Sequence, residues 1–196
     1  LQPDLYRCFM WRTWLNGSKG GTIGLIHPET HFTDEKAGRL REEAYLRLRR
    51  HWQFGNDLLL FGEIDNHVTF GVHIYGSSGD VRFLNASSLY HPETVSRSLM
   101  HDGSGEEPGH KHDGRWDRRP HRSRVQEVTL DALRTWRDVL ESPATPSLQT
   151  RMLYSDVLNY LSHTLPEGQD VAACEEARAI LLDAGARNLA DLRAAS

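Results

Sequence analysis

The 196 residues hold 23 Lys and Arg against 27 Asp and Glu, for a formal net charge of −4, and are 38% hydrophobic and 26% charged. That composition fits about one globular domain, perhaps with an appendage, and excludes a wholly disordered chain and a globally basic nucleic-acid binder. No run approaches the ~20 apolar residues of a membrane span, and Cys8 and Cys174 form no CxxC pair, which points to a reducing cytoplasm rather than a disulfide framework. The opening Leu1-Gln2-Pro3-Asp4 carries no signal-peptide pattern, and the chain reads as a piece of something longer.

Residues 4–15 place Leu5, Cys8, Phe9, Trp11 and Leu15 at near-helical spacing, which predicts a helix stopped by Asn16-Gly17. Cys8 is expected in the core, as are most of the five tryptophans. Gly20-Gly21 marks a turn. The run Thr22-Ile23-Gly24-Leu25-Ile26 lacks polar alternation, the pattern of a strand buried on both faces, and Pro28 ends it. Thr33 is an N-cap candidate for a four-turn helix whose apolar face is Ala37, Leu40, Ala44 and Leu48, with Arg47, Arg49 and Arg50 in its last turn. Strands are expected at 57–61 and 68–75. This order suits the closing portion of a doubly wound α/β sheet, often with its last pair antiparallel, and three strands are too few to stand alone.

Past Gly76-Ser77-Ser78-Gly79 the character changes. A strand is expected at 81–88, a short helix at 91–100, a polar loop at 101–124, a strand at 125–128, and a helix marked by Leu130, Leu133, Trp136, Val139 and Leu140. Pro143 and Pro146 read as a linker, followed by a helical tail. The chain thus divides into 1–80, an α/β closing half; 81–142, a mixed extension; and 143–196, the tail.

Two stretches hold candidate chemistry. His27-Pro28-Glu29-Thr30-His31 lies just beyond the carboxyl end of an expected strand, where open α/β sheets bind ligands; His27, Pro28, Glu29 and His31 are the substrate-crevice candidates. His27 and His31 straddle Pro28, so they do not share a helix face and are not read as a zinc pair. Between 110 and 124, Lys111, Arg115, Arg118, Arg119, Arg122 and Arg124 stand against Asp113 and Asp117. With Trp116 they form a basic loop suited to phosphate contact. His101, Asp102, His110, His112 and Asp113 match no metal-ligand spacing, and no catalytic triad or metal site is assigned.

Residues 1–76 resemble the second half of the catalytic domain of adenine-N6-specific DNA methyltransferases of bacterial restriction and phage-defence systems. The likeness rests on residues 20–32, on Leu40-Arg41-Glu42 through Arg50-His51-Trp52-Gln53-Phe54, which resembles that family's next helix and strand, and on Phe61-Gly62-Glu63-Ile64 with Thr69-Phe70-Gly71-Val72-His73-Ile74-Tyr75, which resembles its final hairpin. Residues 81–141, with Arg82-Phe83-Leu84-Asn85 and His91-Pro92-Glu93-Thr94, look like the continuation in large members. The resemblance implies an incomplete Rossmann-like class I sheet and transfer of a methyl group from S-adenosylmethionine to an adenine flipped out of double-stranded DNA. The family's Gly-rich cofactor loop and its Asn/Asp/Ser-Pro-Pro-aromatic tetrapeptide are both missing from this sequence. They are expected in a missing N-terminal half or a companion subunit, so the chain by itself is expected to be inactive, with no catalytic or cofactor-binding residue of its own. The alternative is a non-catalytic DNA- or subunit-binding remnant.

Overall fold

A computed structural model describes residues 4–109, 111–142 and 144–152 of the chain. Its centre is a five-stranded mixed sheet formed by β1 (Ile23–His27), β2 (Leu48–Gly55), β3 (Thr69–Tyr75), β4 (Arg82–Leu89) and β7 (Gln126–Thr129), in the order β1-β3-β2-β4-β7. The helices are α1 (Leu5–Asn16), the single turn α2 (Thr30–Thr33), α3 (Gly38–Arg47), α4 (Pro92–Leu99) and α5 (Leu130–Leu140). A two-stranded hairpin, β5 (Lys111–His112) with β6 (Arg115–Trp116), rises from the polar loop.

Strand directions follow from the pairings. β3 runs antiparallel to both β1 and β2, so β1 and β2 run the same way with a reversed strand between them. β4 is parallel to β2, and β7 antiparallel to β4. The sheet therefore continues across residue 80 into the extension. Side chains alternate between its two faces. On one face Leu48, Tyr75, Phe83 and Val128 pack with Met10 and Trp14 of α1, Ala44 and Tyr45 of α3, and Leu133 and Trp136 of α5. On the other, Trp52, Phe54, Phe70, Ala86 and Leu89 pack with Val95 of α4.

Several expected elements sit elsewhere. The helix expected from Thr33 to Arg50 begins as a 3-10 turn whose cap is Asp34, accepting from the Lys36 N–H at 2.9 Å, and ends at Arg47. Arg49 and Arg50 belong to β2. Residues 57–61 are not a strand: they follow a 3-10 turn in which Leu59 has φ 53°, and Leu58, Leu59 and Phe61 are exposed. The central strand is β2 instead. Strand β1 is an edge strand rather than one buried on both faces, since Ile26 is 60% exposed. Cys8 is exposed rather than in the core, and so is Trp11, while Trp14, Trp52 and Trp136 are buried. Among the described residues no helix is long and apolar enough to cross a membrane. The expected helical tail lies outside the described residues from 153 onward.

Residues 144–152 return to the first face. Arg41, buried and with no carboxylate at hydrogen-bond distance among the described residues, donates to the carbonyls of Gln149 (2.9 Å), His31 (2.9 Å) and Asp34 (2.8 Å). The Tyr45 hydroxyl donates to Thr150 O at 2.8 Å. These bonds fasten the loop after β1 to both α3 and the 144–152 segment.

Candidate functional site: a histidine row at the end of β1

One register line crosses the sheet through Leu25, His73, His51, Asn85 and Gln126. These residues share a face, and the loop after β1 folds over it. The result is a buried polar cluster built by four elements: His27 at the end of β1, Glu29 and His31 from the loop and α2, His51 from β2 and His73 from β3.

Tyr6 and Arg7 of α1 hold the loop in place. The Tyr6 hydroxyl accepts from the His31 N–H at 2.8 Å and lies 2.7 Å from Thr30 Oγ1. Arg7 reaches Asp34 at 2.7 Å. Beneath them the rings stack. His27 lies between Tyr6, at 5.1 Å between centroids, and His73, at 4.0 Å with an interplanar angle of 7°. His73 in turn overlaps His51 at 4.9 Å.

Hydrogen bonding orients two of these rings. Pro28 O accepts from His27 Nδ1 at 2.7 Å, which leaves Nε2 to face the Tyr75 hydroxyl at 3.4 Å. His51 Nδ1 meets Asn85 Oδ1 at 2.7 Å, and its Nε2 meets Glu29 Oε1 in a short contact. By contrast, Glu29 Oε2 and both ring nitrogens of His31 and of His73 are buried with no hydrogen-bond partner among the described residues. Burial, first of all, pushes His31 and His73 well below the ordinary imidazole range, and neighbouring histidines add to this; Gly71's backbone works weakly the other way on His73 without giving it a well-formed hydrogen bond. His27 is lowered by burial too, against the Pro28 carbonyl and Glu29. These three imidazoles are neutral near pH 7.

A cavity of about 340 Å³ opens beside the cluster, with Pro28, Glu29, His51, Gln53 and Thr69 among its lining residues. Of the four crevice candidates, only Pro28 and Glu29 reach it; His27 and His31 point into the protein and are 7% and 0% exposed. His51 and His73 were not singled out from sequence. Alternation along the strand expected at 68–75 is the signal that would have found His73; His51 lies on β2, whose first residues the expected helix covered.

The basic loop forms a second concavity, of about 970 Å³, whose lining includes His91, Arg97, Lys111, Arg115, Trp116 and Arg118. Three of the candidate DNA contacts have partners within the protein. Arg124 is 3% exposed and bonds Arg119 O and Asp117 O, while Arg119 grips Asp117 and Glu106. Both build the loop around the buried Asp117 carboxylate. Trp116 stacks on Tyr90 at 4.5 Å, and Lys111 lies 4.8 Å from its ring centre. Lys111, Arg115, Arg118 and Arg122 remain exposed. Of the polar loop's other groups, His101 packs against His121 at 4.8 Å and His112 lies 3.5 Å from Asp113, while His110 lies outside the described residues.

No protein-family model matches the chain, and no curated protein matches it. Among solved structures it is similar to the type IIG restriction endonuclease BpuSI, with a TM-score of 0.46 and 12% identity over 84% of this chain and 18% of that one. The chain thus spans less than a fifth of that neighbour's length, and at this level of similarity no activity transfers.

Proposed function

We propose that the chain is part of a site-specific DNA methyltransferase that moves a methyl group from S-adenosylmethionine to adenine N6 in a restriction or phage-defence system, and that it is inactive alone. The observation carrying this reading is the placement of the His27–His31 loop. It follows β1, parallel to β2 with the reversed β3 between them, the arrangement expected of the closing part of such a sheet. Helices lie on both faces, and ligands in open α/β sheets collect beyond the strands' carboxyl ends. The residue strings of 20–32, 40–54 and 61–75 support the same family.

The chain's own residues do not form the cofactor seat. No Gly-rich loop follows an apolar strand and no Pro-Pro dipeptide occurs, so S-adenosylmethionine and the target adenine need residues from another polypeptide segment. This chain's part is to complete the sheet, wall one side of the crevice with Pro28 and Glu29, and present Lys111, Arg115, Arg118 and Arg122 to DNA phosphates.

The test is transfer of labelled methyl groups to duplex DNA by the chain alone and by the chain co-expressed with the polypeptide encoded directly upstream. No transfer alone and N6-methyladenine from the pair is the expected result; robust transfer by the isolated chain would sink the reading. If neither preparation transfers methyl groups, the chain is a DNA- or subunit-binding module, the reading favoured by the exposed cations around the larger concavity. Arg115→Glu with Arg118→Glu then weakens DNA binding and flattens its salt dependence, because phosphate contacts release counterions.

A further inference from the structure

We propose that Glu29, His51 and His73 form a binding site for a divalent transition metal, zinc foremost, with a fourth position open to the 340 Å³ cavity. The inference stands apart from the methyl-transfer reading. Each of the three residues offers one ligand atom, and these atoms lie within 4.8 Å of one another. Tetrahedral zinc with ligands at about 2.0–2.1 Å separates them by roughly 3.4 Å, so modest side-chain movements close the site.

Three further features make this more than a gathering of polar groups. First, the orphaned atoms are the right ones. His73 has no hydrogen bond at either nitrogen among the described residues, and Glu29 Oε2 has none either, whereas buried polar atoms in native proteins are almost always paired. A metal satisfies the carboxylate and one nitrogen of His73 together.

Second, His51 is oriented as a ligand. With Asn85 Oδ1 accepting from its Nδ1–H at 2.7 Å, the remaining nitrogen points at Glu29. A neutral imidazole whose second nitrogen donates to a side-chain or backbone oxygen is the usual ligand arrangement. His51 Nε2 and Glu29 Oε1 already converge in a short contact at the place a cation would occupy.

Third, the backbone leaves room for the approach. A Cβ at Gly71 would stand 2.7 Å from His73 Nε2 and 2.8 Å from Glu29 Oε1. Glycine is what lets these two groups converge over β3.

Two imidazoles and one carboxylate with an open fourth position is a donor set that zinc accepts; harder ions such as magnesium prefer oxygen ligands and octahedral geometry. The three ligands come from the β1 loop, β2 and β3. Metal binding therefore ties three separate segments together, and as a ligand for the folded state alone it raises stability.

The experiment measures metal content and melting temperature of the full 196-residue chain. The protein is stripped with a chelator, reloaded with zinc or with magnesium, and desalted. Expected are about one zinc retained per chain, a higher melting temperature with zinc than without, no effect of magnesium, and visible bands of tetrahedral cobalt after cobalt substitution. Glu29→Gln keeps shape and a hydrogen bond to His51 but removes the charged ligand, so zinc affinity falls by more than the ~10–100-fold that loss of an outer partner costs. The control His101→Gln, at a partly exposed loop position, leaves retention unchanged. The proposal is overturned by failure of the wild-type chain to retain zinc, or by undiminished retention in Glu29→Gln, which would assign the metal to surface histidines.

Discussion

At the scale of single residues, the basic loop is ordered by one buried acid. Asp117 accepts from Gly109 N at 3.1 Å and Arg119 N at 2.9 Å, pairs with the Arg119 guanidinium at 2.8 Å, and lies 3.5 Å from Arg124. Burial works against its charge, but the Arg119 bonds and nearby Arg124 outweigh it and hold the carboxyl below the usual range. A carboxyl with a lower pKa folded than unfolded stabilises the fold above the unfolded value, about 3.9, and that stability is lost as pH falls through the folded value. Asp117→Asn therefore leaves Arg124 buried beside an uncharged amide and costs about 3–5 kcal/mol at pH 7. Its deficit against the wild type shrinks as pH drops below about 4. Urea titrations of both proteins at pH 7 and at acid pH check this; a deficit independent of pH would mean that the charge of Asp117 is not what holds the loop.

At the scale of elements, one tetrapeptide folds in two ways. His-Pro-Glu-Thr occurs at 27–30, beginning on the last residue of β1, and again at 91–94, just after β4. At the second, His91 accepts from Glu93 N and Pro92 opens a regular helix, the position where a missing N–H costs nothing. At the first, the His27 ring turns inward onto His73 and Glu29 onto His51, so local sequence placed the loop but not the direction of its side chains. The same gap explains β2. Leu48-Arg49-Arg50-His51-Trp52-Gln53-Phe54-Gly55 carries the charges of a helix end, and only the partners Glu29 and Asn85, remote in sequence, make His51 a suitable interior residue. The apolar 57–61 run, which looked like the strand, has no sheet neighbour to bury it. Elements with a capped start or clear period, α4, α5, β3 and β4, were legible within a residue or two. The convergence over β3 gives a sharp test: Gly71→Ala forces His73 and Glu29 apart inside a packed interior and costs about 1–3 kcal/mol. Equal denaturation midpoints for mutant and wild type would show that the ring and carboxylate have slack the present geometry denies them.

At the scale of the whole molecule, the apolar surface is distributed unevenly. Helix α1 is apolar on two sides: Met10 and Trp14 are buried against the sheet, while Leu5, Phe9, Trp11 and Leu15 are 68%, 61%, 45% and 60% exposed. An apolar helix side left in water is a surface that another chain can cover. Close by, β1 presents a sheet edge with no strand beside it among the described residues, and Ile26 on it is exposed. An open edge next to an apolar helix face is a template for pairing with another chain. The strand pattern of the sequence already pointed to too few strands for a closed sheet; the extension strands β4 and β7 supply neighbours on the β2 side but none on the β1 side. The 196-residue chain is thus expected to self-associate as concentration rises, through α1 and β1. Phe9→Glu with Leu15→Lys then shifts it toward the 22.3 kDa monomer, with little change in melting temperature because neither side chain is in the core. Sedimentation over a concentration series reads this directly. A wild-type chain that stays monomeric throughout would mean that this face is tolerated in water and needs no covering, and the case for a sheet completed from outside would lose its physical basis.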